Sequence, residues 1–285
     1  NLEQVEVLRG SASMLYGRGS TGGIINQVSK LPKETDHFEL NVTGGTNLYA
    51  RVTFDANKVI GENLMARVTG MGTTAESTRN NVEQKRWGFA PSLTWRPGPN
   101  DDITLAYFFM QERNIPDFGL PYFNGKPLKV PVTRFYGLSQ EDFEKTLSSI
   151  ATISHVHRFG PNSELRTMLR QGYYHRDIHV IAPRFPMGIV DYNEDTLLLR
   201  NRKALAGIDH KLNGLSQYTG RFATGPLEHE VLGGVEYAWD LSKRWNNTSR
   251  FGVPLATVDD VKFSATHADR EKDAAGPEAH GAVLL

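Results

Sequence analysis

The chain has 285 residues, 32 of them Lys or Arg and 32 Asp or Glu, so its formal net charge is zero. That balance excludes nucleic-acid binding through a broad basic surface. No run of 18 apolar residues occurs, which excludes a transmembrane helix but not strands that cross a membrane with alternating polarity. There is no cysteine, hence no disulfide or thiolate metal site, and 27 glycines with 10% aromatics suit sheets, turns and interfacial belts.

The chain opens on Val5-Glu6-Val7-Leu8, without the basic stretch and apolar core of a signal peptide. We expect the natural start to lie upstream. Residues 4–9 read as a strand, 17–23 as a glycine-rich turn and 24–29 as a second strand, closed by Pro32.

Near Asp36 the pattern changes to long segments of period two, the signature of strands with one apolar face. Phe38, Leu40 and Val42 alternate with polar residues, as do Val52, Phe54 and Ala56, then Leu64, Ala66 and Val68. Trp87, Phe89, Pro91, Leu93 and Trp95 share one face of residues 86–96, opposite Arg86, Ser92, Thr94 and Arg96. Leu165, Thr167, Leu169 and Tyr173 oppose Arg166, Arg170 and Arg176, and Val231, Val235, Tyr237 and Trp239 oppose Glu236 and Asp240. Residues 103–111 and 146–159 alternate less cleanly, and 205–223 least. This makes about nine strands of roughly ten residues, against ~5–6 in soluble sheets and ~9–11 needed to cross a bilayer. At ~3.3 Å per residue and a tilt of ~40°, Trp87 and Trp95 lie ~20 Å apart along the membrane normal, near the spacing of two aromatic girdles.

Tight turns at 60–63, 97–100, 160–162 and 224–226 alternate with longer polar stretches at about 74–84, 114–144, 182–204 and from 243. Outer-membrane barrels alternate short and long connections in this way. The short link at 44–48 breaks the rule. Residues 261–285 lose the period, read as an irregular tail, and are assigned no function.

Enzyme signatures fail on context. Gly17-Arg18-Gly19-Ser20-Thr21-Gly22 has dinucleotide-site spacing but leads into a strand, not a helix. His175-Arg176-Asp177 and Asp117-Phe118-Gly119 imitate kinase motifs in the wrong order. His155 and His157 share one strand face; without a third ligand at recognisable spacing, a polar lumen face is the better reading than a metal site. His175 and His179 are read likewise. The chain is not expected to be an enzyme.

Val5-Glu6-Val7-Leu8-Arg9-Gly10, then Leu15-Tyr16-Gly17-Arg18-Gly19-Ser20-Thr21-Gly22-Gly23-Ile24-Ile25-Asn26-Gln27-Val28-Ser29-Lys30 and Pro32, resembles the C-terminal end of the plug domain of TonB-dependent receptors. The resemblance implies an all-β chain. Residues 1–33 would end the plug, 36–260 would form about nine antiparallel strands of a large transmembrane β-barrel, and 261–285 would be the tail. It implies an outer-membrane receptor for ferric siderophores, with iron carried as cargo and no resident cofactor or metal. The implied partners are the siderophore, the TonB–ExbB–ExbD complex through a segment upstream of residue 1, and outer-membrane lipid, with no nucleic acid. Nine strands cannot close a barrel, so the chain alone is not expected to transport. Arg9 and Arg18 are the candidates for ion pairs between plug and barrel wall.

Residues 114–122, with Phe135-Tyr136-Gly137-Leu138 and 142–146, are similar to the third outer loop of catecholate-type receptors. This implies Phe118, Tyr122, Phe123, Arg134, Phe135 and Tyr136 as ligand contacts, beside Lys126 and Lys129. Anionic, aromatic-rimmed iron chelates suit cations and rings. The other reading is that these aromatics pack the loop onto itself. Cobalamin, haem or glycan remain alternative cargoes, and a soluble glycan-binding β-sandwich is the alternative architecture.

Overall fold

The computed structural model describes residues 2–10, 22–193, 196–254 and 278–284, among which there is no helix. β1 (Leu2–Arg9) and β2 (Gly23–Ser29) form a separate antiparallel ribbon. The chain then builds one large sheet from β3 (His37–Gly44), β4 (Ala50–Ile60), β5 (Leu64–Glu76), β6 (Glu83–Gly98), β7 (Asp101–Asn114), β10 (Phe143–Gly160), β11 (Ser163–Arg184), β12 (Leu197–Thr224), β13 (Leu227–Pro254) and β14 (Glu278–Leu284). Two short strands, β8 (Tyr122–Phe123) and β9 (Lys126–Pro127), pair within the β7–β10 loop. In the large sheet each strand pairs antiparallel with its sequence neighbours, with that loop hairpin skipped. No second large sheet lies against it among the described residues, which rules out the sandwich.

Register fixes the faces. Trp95, Leu93, Pro91, Phe89 and Trp87 stand opposite Leu64, Ala66, Val68, Gly70 and Gly72, so the apolar sets of neighbouring strands merge into one band. Its rings cluster: Phe89 and Phe109 stack at 5.5 Å, and Trp87 and Phe109 lie 5.1 Å apart. This face is exposed, with both tryptophans 49% accessible. The opposite face carries Asp55, Asn57, Arg67, Thr69, Ser92 and Thr94, all buried. Polar side chains are thus turned inward and apolar ones outward, the inverse of a water-soluble sheet and the arrangement a barrel wall in lipid requires. Among the small residues Ala56, Ala66 and Ala151, the outer face carries an apolar depression of about 1100 Å³.

Tight turns at residues 61–63, 99–100, 161–162 and 225–226 line one rim, with Gly61 and Gly225 at φ of +72° and +60° where a side chain would be strained. The connections 77–82, 115–142 and 185–193 line the other rim, joined by the short link 45–49.

Strand lengths rise from 8 residues in β3 to 28 in β12 and β13. The weak segment 205–223 therefore belongs to one of the longest strands, and residues 243–254, expected in a loop, continue β13. Crossing a bilayer takes only ~9–11 residues. Beyond that height no hydrocarbon demands an apolar face, which is why 243–254 lack a period while the hydrogen-bond ladder continues. Within 205–223, at the short-turn end of β12, the period is weak because Gly214, Ser216 and Gly220 stand on the outer face. The tail also departs from the irregular reading, because Glu278–Leu284 pairs with β13 at Val235 to Asp240.

Candidate functional site

Two places bring chemistry together. The first is where the segment leaving the ribbon meets the inner face of β4 and β5. Arg67 Nε and Nη2 donate to Asp55 Oδ1 and Oδ2 at 2.8 and 2.7 Å, and Lys30 Nζ donates to Asp55 Oδ2 at 2.6 Å. Arg67 Nη1 donates to the Leu31 carbonyl at 2.8 Å. Asn57 accepts from Lys33 N at 2.9 Å and donates to the carbonyls of Lys33 and Thr35 at 2.8 and 2.7 Å. One carboxylate thus holds two cations, and an amide and a guanidinium strap down the passing backbone. Further out, Lys33 Nζ reaches Glu3 at 2.6 Å and holds its carboxyl below the usual range. Arg96 bridges Glu34 and Asp102 at 2.6 and 2.8 Å, and Arg158 adds a 2.5 Å bond to Asp102. For the buried Asp55 and Arg67, pairing this full keeps each charge from being stranded in a low dielectric.

Arg9 is exposed near the end of β1, and no ion pair among the described residues includes it. Arg18 lies outside the described residues. Among the described residues the ionic tie to the wall is made instead by Lys30, paired with Asp55, and by Glu3, which Arg67 of the wall approaches at 3.6 Å.

The second place is the 115–142 loop, folded over the upper ends of β11 and β12. Leu128, Tyr136 and Leu198 form its core, with Leu120, Phe123, Val130, Phe185 and Tyr192 packed around them. Phe123 meets Phe185 and Tyr192 edge-on at 5.2 and 5.3 Å. Phe135 is 1% exposed, and the buried Tyr136 carbonyl accepts from Arg200 Nε at 3.0 Å. Phe123, Phe135 and Tyr136 are therefore turned into the loop, which corrects the expectation that they face a ligand: a long ordered loop needs its own apolar core. Phe118 and Tyr122 do face outward, 52% and 74% exposed. Lys203 of β12 sits over the Phe118 ring, 5.7 Å from its centre. Arg134 is half-buried, and its carbonyl accepts from Arg79 Nη1 at 3.1 Å. Arg79 also donates to Asp117 at 2.5 Å, and Asn80 N to the Thr133 carbonyl at 2.9 Å, which ties this loop to 77–82.

Beneath the loop Asp142 is buried, its Oδ2 accepting from Leu138 N at 3.1 Å. Burial pushes its carboxyl up to about 7, while backbone hydrogen bonds from Leu138 and Ile181 and the nearby Arg200 partly oppose the rise. Sequence reasoning missed Lys203, Arg79, Asp142 and Arg200. No local spacing marks them, because each acts across 38 to 85 residues or through burial alone.

No family model matches the chain. It is 35% identical over 246 residues to the probable TonB-dependent siderophore receptor PiuA of Acinetobacter baumannii, covering 83% of this chain and 33% of that protein. It is 28% identical over 303 residues to the catecholate siderophore receptor Fiu of Escherichia coli K12, covering 99% of this chain and 38% of that one. The crystal structure of PiuA superposes with a TM-score of 0.81 at 28% identity, over 97% of this chain and 42% of that chain. The chain belongs to the TonB-dependent siderophore receptor family. The open form of Fiu superposes equally well, with a TM-score of 0.82 at 25% identity over 96% of this chain and 44% of that one. Within the family this receptor chain spans about a third of the length of the curated relatives it matches.

Proposed function

We propose that the chain forms part of a bacterial outer-membrane receptor that takes up a ferric siderophore of the catecholate class. Residues 1–33 are the end of its plug and residues 36–260 the first strands of its barrel. The observation that carries this reading is the inversion of the sheet. Its outer face is a continuous apolar band with aromatic residues at two heights, and its inner face is a set of buried charges that grips the segment leaving the ribbon. A wall built this way encloses a polar plug and faces hydrocarbon, which fills the outer depression. The name of Fiu, a catecholate siderophore receptor, supports the cargo class, and that of PiuA supports a siderophore. Phe118 and Tyr122, with Lys203 and Arg134 behind them, are the outward-facing ligand contacts. Iron arrives and leaves as its chelate, and no resident cofactor takes part. Energy reaches the plug from TonB and its ExbB–ExbD partners.

The test is growth of a siderophore-receptor-deficient strain expressing the complete receptor, under iron limitation. Ferric catecholates should restore growth, and Phe118→Ala with Tyr122→Ala should weaken chelate binding by tenfold or more. Rescue by haem alone, or a cobalamin requirement met by this receptor, would overturn the cargo.

A further inference from the structure

Asp101 opens β7, and His155 and His157 lie near the end of β10, directly beside it. The register sets His157 opposite Asp101 and His155 opposite Ile103. Asp101 Oδ1 stands 2.7 Å from His155 Nε2 and 2.8 Å from His157 Nδ1, and all three ligand atoms lie within 4.8 Å of one another. The histidines share the face of Ile153, so they point outward rather than into the lumen, and the third ligand missing from the local sequence comes from the neighbouring strand.

We propose that Asp101, His155 and His157 form a site for a divalent transition cation of the zinc, nickel or copper type on the outside of the barrel wall, at the short-turn rim. Two imidazoles and one carboxylate are the donor set these ions take. Ligands sharing an ion at ~2.0–2.1 Å lie ~2.9 Å apart at right angles and ~3.3 Å apart in a tetrahedron. The two Asp–His spacings need only about half an ångström of opening or less to admit one. Phe159 meets the His157 ring edge-on at 4.7 Å and fixes its plane. Trp95 lies in the same cross-strand row as Ile103 and His155, the level of the lower aromatic girdle, where water reaches the wall. All three side chains are part-exposed, between 29% and 46%, so an ion can enter and keep water in its remaining positions. The other cluster of this kind among the described residues, His37, Glu39 and Asp55, is spoken for, since Asp55 already binds Arg67 and Lys30.

Only the direction the site faces rests on the outer-membrane reading; the binding itself does not, and its test involves no siderophore. The complete receptor, purified in detergent and stripped with chelator, is titrated with Zn²⁺ by calorimetry and with Cu²⁺ by electron paramagnetic resonance. The expected result is one site that loses at least tenfold in affinity in His155→Gln and in His157→Gln, and less in Asp101→Asn. His229→Gln leaves it unchanged. The Cu²⁺ spectrum should show two imidazole nitrogens, reduced to one in each single histidine variant. Isotherms unaltered by both histidine substitutions, or a wild-type spectrum without paired imidazole coupling, would overturn the site even if the receptor transports normally.

Discussion

Arg67 forks onto Asp55 through two parallel hydrogen bonds of 2.8 and 2.7 Å, with both side chains at most 5% exposed. The pair joins β4 to β5 and, through Lys30 and the Leu31 carbonyl, joins the wall to the chain that threads past it. Removing one partner of such a pair strands the other charge away from water and costs ~3–5 kcal/mol. Arg67→Ala should therefore lower receptor stability by about that amount in urea unfolding from lipid vesicles. The exposed pair of Lys58 and Asp36 is the control; Lys58→Ala should leave the midpoint unchanged, because water screens both charges. Equal effects at the two sites would mean that burial is not what gives the Arg67 pair its weight.

Leu93 and Leu215 are the same residue type on opposite faces of the wall. Leu93 sits in the outer band opposite Ala66 and Leu105, whereas Leu215 points inward opposite Glu236. An arginine in hydrocarbon at mid-membrane costs ~2–4 kcal/mol. Leu93→Arg should show that loss on unfolding from vesicles, and Leu215→Arg, with Glu236 across from it, should show little. Ser92, though also inward, is a poor site for this comparison, since it is packed with its Oγ 3.4 Å from the Arg67 carbonyl. Similar losses at 93 and 215 would contradict the assigned faces.

These faces were legible in the sequence because hydrocarbon imposes the same rule on every strand. Each odd residue from Trp87 to Trp95 is apolar or aromatic, whatever its neighbours do. Partners across strands were not legible. Asp101 lies more than fifty residues from His155, and only the register of β7 with β10 brings them together. Within the loop, residue type could not separate outward-facing Phe118 and Tyr122 from inward-facing Phe135 and Tyr136, because aromatic rings serve ligand and core alike.

Gly137 lies where the loop core is tightest. A Cβ there would overlap both Asp142 Oδ2 and the Phe135 ring. Both neighbours are buried and held, so neither can swing aside cheaply. Gly137→Ala should destabilise the loop by ~1–3 kcal/mol while leaving the barrel strands intact. Limited proteolysis should then cut within residues 115–142 faster than in the unaltered receptor, with no change in cleavage at the short-turn rim. Unchanged cleavage of the loop would show that Phe135 and Asp142 have room to yield.

Asp142 makes the same loop sensitive to pH. Its carboxyl is raised from 3.8 to about 7 by burial, with Arg200, Glu141 and the Leu138 and Ile181 amides as the groups facing it. The folded loop therefore keeps a proton that the unfolded chain has already released. Stability linked to this group is full below pH ~4, falls as the pH rises towards 7, and is level above that. A gap of about three pKa units corresponds to a few kcal/mol, on the order of 4 as an upper bound. Hydrogen exchange at Leu138, corrected for intrinsic rates, should show less protection at pH 8 than at pH 5. Asp142→Asn keeps an oxygen to accept from Leu138 N but has no proton to lose, so its protection should be flat across this range. If the asparagine variant retains the full pH slope, the titrating group is another, and Asp142 is charged in its pocket at neutral pH.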